Sequence, residues 1–161
     1  MRTVLLMIIA ISLSVGIAES AELSDKDATE ILAPSDAVFK AMLSKDYVTV
    51  WGLLSETSRQ TIVKDVCTAL KRNTRICFES EITADLRSGG PIAKAHWGSY
   101  LGKFDPKTVL EQSQWDIGTV GKDNSEIKIT YKGSGNAATL SMYKEDGIWK
   151  VGLAESFWSL K

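Results

Sequence analysis

The hydrophobic period of this 161-residue chain changes once, near Thr108, and that change limits the folds open to it. Beyond this point the apolar residues fall at every second position. Trp115, Ile117 and Thr119 alternate with Asp116 and Gly118, and Ile127, Ile129 and Tyr131 alternate with Glu126, Lys128 and Thr130. Ala138, Leu140 and Met142 follow the same rule, as do Trp149, Val151 and Leu153. A period of two is the mark of a strand with one buried face. The runs are separated by Gly121–Asn124, Gly133–Asn136 and Glu145-Asp146-Gly147. Asp-Gly between alternating runs is a strong hairpin signal, and connections this short join antiparallel neighbours only. Four strands in a meander are therefore expected.

Upstream the period is helical. Ser24 and Asp27 form a capping-box pattern that opens a short helix toward Ala33, and Pro34 suits the first turn of a new one. Val38, Ala41 and Met42 continue at helical spacing until Ser44-Lys45-Asp46, and a short helix then carries Val48, Trp51 and Leu54. Thr57 with Gln60 reads as a second capping box, ahead of Ile62, Val63, Val66, Cys67 and Leu70 on one face. Ser88-Gly89-Gly90-Pro91 breaks the chain, and Ala93, His96, Trp97, Tyr100, Leu101 and Phe104 recur at three- and four-residue steps up to Asp105-Pro106. A half-apolar sheet must be covered, and these helices are its cover. The fold class is α+β, with N-terminal helices packed on a curved antiparallel four-stranded meander. Residues 34–161 form one domain, and residues 19–33 form an N-terminal extension or short helix.

Residues 1–18 read as a secretory signal peptide: Arg2, an apolar run from Val4 to Val15, then Gly16-Ile17-Ala18 as a small-residue cleavage site. The run is too short to favour a membrane span, so the mature chain is expected to be exported, periplasmic or extracellular, without a membrane attachment. Arg2 leaves with the leader while every acidic residue stays, which moves the formal charge from −1 to −2. A nearly neutral surface of mixed sign argues against nucleic acid and against a polybasic membrane patch. Cys67 and Cys77 are close in sequence, and an oxidising compartment favours a disulfide between them. Their spacing is not C-x-x-C, so a redox-active pair is disfavoured.

Ala33–Met42, Asp46–Ser55 and Lys144–Val151 resemble, respectively, the opening helix, the turn into a short helix, and the final hairpin of the nuclear transport factor 2-like superfamily. Small secreted bacterial members are the nearest in pattern. The resemblance implies a cystatin-like α+β cone with a pocket between helices and sheet. The superfamily includes isomerases, dehydratases, cyclases and transport adaptors, so the fold does not select the activity.

In such a cone Trp51, Trp97, Tyr100 and Trp149 would converge on one internal volume. Aromatic walls describe a small-molecule pocket, and they equally describe a packed core. His96, the only histidine, shares the apolar face with Trp97 and Tyr100, where it is either a general base or a hydrogen-bonded structural residue. The resemblance implies that a carboxylate on the apolar floor could move a proton beside a carbonyl, which makes Asp116 a candidate, yet alternation points it away from the face of Trp115 and Ile117. Neither is a firm catalytic residue. Ser55, Ser58 and Ser99 lack a nucleophile elbow. No His, Cys, Asp or Glu cluster has metal-ligand spacing, and no cofactor is expected. The leading expectation is an exported non-enzymatic binding or accessory domain for a small apolar ligand or a protein partner. A ketosteroid-isomerase-like lyase or isomerase is one alternative. A module that forms homodimers through the outer face of its sheet is the other.

Overall fold

The structure, a computed structural model, describes residues 23–72 and 76–157. The expected leader, its cleavage site and Trp158 lie outside the described residues. Among the described residues seven helices and four strands follow in order, and the α+β class expected from the sequence is the one observed. The strands are β1 (Ser113–Val120), β2 (Asn124–Tyr131), β3 (Ala137–Glu145) and β4 (Ile148–Gly152). They pair antiparallel in the order β1-β2-β3-β4, the expected meander. Trp115 faces Ile129, Ile127 faces Leu140 and Met142 faces Val151 across the ladders, so the middle of one face is apolar, with buried Ser125 opposite Met142 as a polar member. Asp146 (φ 50°) and Gly147 (φ 80°) both occupy the left-handed region, as the tight β3–β4 hairpin requires.

The first helix corrects an expected boundary. α1 runs unbroken over Asp25–Ser44, with Pro34 inside it. The Ser24 hydroxyl accepts the Asp27 N–H, as the capping box implies. An interior proline costs about 3 kcal/mol in a helix. Here Ile31 lies before it and Val38, Phe39 and Met42 after it, all fully buried in one core. Burial of one continuous face offsets the lost hydrogen bond. Lys45 ends α1 in the left-handed region, and the Asp46 carboxylate then caps α2 (Tyr47–Leu53) by accepting the Thr49 N–H and hydroxyl.

The Thr57–Gln60 capping box is also corrected. α3 spans Glu56–Arg72, and the Ser55 hydroxyl accepts the Ser58 N–H at 3.0 Å. The helix starts earlier because the chain before it is pinned: Leu54 bridges Val151 of β4, and the Ser55 N–H bonds the Val151 carbonyl. Ile62, Val63, Val66 and Cys67 are buried on one face, as their spacing implies.

α4 (Glu79–Ser88), unforeseen in the sequence, buries only Ile82 and Leu86 and ends at Gly89 with φ 68°. α5 (Pro91–Leu101) opens with Pro91, and the Asp85 carboxylate of α4 accepts its Ala93 N–H at 2.9 Å. α5 stops before Phe104. Asp105-Pro106 is not merely a terminator, since Asp105 caps a further short helix, α6 (Pro106–Glu111). Strand structure accordingly begins at Ser113. Leu153 likewise leaves the alternating pattern and opens α7 (Leu153–Phe157).

Candidate functional site

Two places combine aromatic and polar groups, and they differ in kind. The first is an internal row. Trp97, fully buried, stacks on Tyr47 and meets Tyr100 edge-on at 5.8 Å. Tyr100 contacts Phe104, which contacts Phe39, and Phe39 meets Trp115 edge-on. Burial pushes the Tyr100 phenol well above its ordinary range. His96 stands half-buried at the side of this row, with its ring edge-on to Trp97 at 5.0 Å.

The second place is a groove of about 320 Å³, lined by Trp51, Glu56, Arg59, Gln60, Val63, Lys64, Glu79, Thr83 and Arg87. Trp51 comes from α2. The α3 residues follow steps of three and four, and Glu79, Thr83 and Arg87 of α4 repeat every four, so each wall is one stripe of a helix. Trp51 and Val63 are nearly buried and supply the apolar surface. The charged residues supply the walls.

Of the expected pocket residues, Trp51, Trp97 and Trp149 are buried in one hydrophobic core and Tyr100 packs against it. Trp97 and Tyr100 touch within the aromatic row, whereas Trp51 lines the groove. Trp149 is buried, with the Lys144 ammonium 5.5 Å from its ring centre. Asp116 is exposed on the sheet face opposite the core, in register with Lys128 and within 3.4 Å of the Gln114 amide. Neither Asp116 nor His96 lines the groove. Cys67 and Cys77 are joined in a disulfide that ties α3 to the lead-in of α4. Among the described residues no group of three His, Cys, Asp or Glu side chains is placed to hold a metal ion, and no helix is long and apolar enough to cross a membrane.

The α3 wall is held from several sides. At its start the Glu145 carboxylate accepts the Glu56 N–H at 2.7 Å. The same carboxylate and that of Glu56 hold Arg59 Nη2, at 3.5 and 3.3 Å. Behind it lies a polar cluster that sequence reasoning missed. Ser55 and Ser58 both donate their hydroxyl protons to the Glu155 carboxylate of α7, and the Ser58 hydroxyl accepts the Ala154 N–H at 2.9 Å. Ser58 is fully buried, so the cluster joins helices and presents no nucleophile. Its only sequence signal is the three-residue spacing of Ser55 and Ser58, a capping pattern that does not reveal the distant glutamate.

No family model, curated protein or solved structure matches the chain.

Proposed function

We propose that this protein is an exported, non-enzymatic binding domain, a nuclear transport factor 2-like cone, whose ligand seats in the groove between α3 and α4. The observation that carries this reading is the position of Trp51. Trp51 is 4 % exposed, yet it lines a groove whose other residues are mostly charged or polar. Small-molecule sites combine apolar surface with a few placed polar groups in this manner. In the internal aromatic row, by contrast, Trp97 is fully buried and its neighbours are rings. A disulfide between Cys67 and Cys77 is compatible with an oxidising compartment and supports the export reading.

A lyase or isomerase of the ketosteroid-isomerase kind would need Asp116 or His96 at the wall of the site. Their placement gives that alternative no support. The binding reading is tested by thermal melting of the mature chain with 2-naphthol at millimolar concentration. Binding to the folded state raises the melting temperature through linkage, and a Thr83→Trp variant that fills the groove should lose the rise. An unchanged melting temperature in the unmodified protein would reject the groove as a site for an apolar ring.

A further inference from the structure

Where α3 gives way to α4, large apolar side chains stand in water. Ile76, at 80 %, is the most exposed large apolar residue among those described, and Phe78 is 57 % exposed. Between them Cys77 is drawn inward by its bond to the buried Cys67. In extended backbone the neighbours of an inward residue point outward, so the disulfide itself holds Ile76 and Phe78 toward solvent. Phe78 is also the N-cap of α4, and its side chain makes no capping bond. Ser, Thr, Asp or Asn would stabilise the helix there, so neither burial nor capping explains the phenylalanine. On the facing arm Lys71 and Arg72, both exposed, close the last turn of α3. The helix dipole accounts for these cations, but not for the apolar side chains presented with them. Neighbouring acids lie behind the disulfide, away from this tip. Cys67 is about 7.5 Å before Arg72 along the α3 axis, and the chain beyond Cys77 packs back along α3. Glu79 accordingly lines the groove together with Lys64, about 12 Å before Arg72. Glu81 follows it on α4, and Asp65 precedes Cys67 on α3.

We propose that this tip is a docking surface for an anionic phospholipid bilayer. Ile76 and Phe78 enter the boundary between headgroups and acyl chains, while Lys71 and Arg72 meet the lipid phosphates. Peripheral attachment draws on both contributions: buried apolar area holds the protein, and basic residues attract it to anionic lipid. Two side chains of each kind give a reversible attachment, far short of a membrane span. Net charge does not reveal such a surface. It averages 161 residues to −1, whereas two cations and two exposed apolar side chains share this one tip. Tip and groove are independent, since none of these four residues lines the groove.

Co-sedimentation of the mature chain with vesicles of phosphatidylglycerol and with vesicles of phosphatidylcholine tests this. At low ionic strength, partitioning onto phosphatidylglycerol should be stronger by about tenfold or more. The difference should shrink as added salt shortens the Debye length. Lys71→Gln and Arg72→Gln should each weaken binding to phosphatidylglycerol about fivefold. Ile76→Ser and Phe78→Ser should each weaken it about tenfold. All four side chains are exposed, so these variants keep the fold. Phe78→Ser also supplies a helix cap, so its melting temperature should equal or exceed that of the unmodified protein. A lowered melting temperature would give the ring a structural role and overturn the proposal. Equal binding to the two lipids, or binding that survives Ile76→Ser and Phe78→Ser, would overturn it as well. So would a failure to sediment with either lipid. A dimer in sedimentation velocity that Phe78→Ser abolishes, without any vesicle binding, would replace the bilayer by a second copy of the chain.

Discussion

Ser58 shows how much one buried hydroxyl can organise. It donates to Glu155, accepts from the Ala154 N–H, and its own N–H is taken by Ser55. Removing the hydroxyl leaves a buried backbone donor and a carboxylate oxygen without their partner. An unsatisfied buried group costs about 1–3 kcal/mol. Ser58→Ala should therefore lower the unfolding free energy by that amount in urea denaturation, with little change in slope. A loss below about 0.5 kcal/mol, the size of an ordinary surface substitution, would show that water replaces the hydroxyl. Gly152 illustrates the opposite constraint, that of space. A Cβ there would lie 2.5 Å from the Tyr143 ring and 3.0 Å from the Ser141 carbonyl oxygen, so the ring and the strand close over a residue without a side chain.

Helix starts dominate at the scale of the element. Asp46 and Asp105 cap α2 and α6, and each carboxyl is held below its ordinary range, first by a hydroxyl hydrogen bond, from Thr49 and Thr108 respectively. A carboxyl depressed in the folded state contributes stability that is present above its unfolded value, near pH 4. That stability is lost as pH falls through the folded value. The melting temperature should thus decline from about pH 4 downward, and Asp46→Asn with Asp105→Asn should flatten this decline. An acid limb identical in the double variant would assign it to other carboxylates. Other elements were legible in the sequence. The Ser24 cap, the α3 face from Ile62 to Cys67 and all four strands follow from local pattern, because one periodic face meets one core. The start of α3 was not legible, since it is fixed by the bridge between Leu54 and Val151, residues far apart in the chain. The break expected at Pro34 failed for a related reason: tertiary burial on both sides outweighs the local propensity. α4 and α6 are short, and α4 has just two fully covered apolar side chains, too few to establish a period.

In the molecule as a whole, α3 is fastened at both ends. Glu145 from the β3–β4 hairpin and Glu155 from α7 hold its start, and Cys67–Cys77 ties its last turns to the chain entering α4. A disulfide closing a loop this short stabilises the fold by about 3 kcal/mol in the chain-entropy model. α3, one wall of the groove, is thereby held by the β3–β4 hairpin, by α7 and by the disulfide. The candidate site was only partly legible. Trp51 was recognisable as an aromatic near a turn, but its partners are charged residues on solvent-facing stripes, where sequence alone reads a solvated surface. The most direct test of the groove is the set of tryptophan indole N–H resonances in a ¹H–¹⁵N spectrum during titration with 2-naphthol. The Trp51 resonance should shift progressively, together with backbone signals from residues 56–64 and 79–87, while those of Trp97 and Trp115 stay in place. A spectrum in which Trp97 moves and Trp51 does not would put the ligand in the aromatic row and contradict the groove as the binding site.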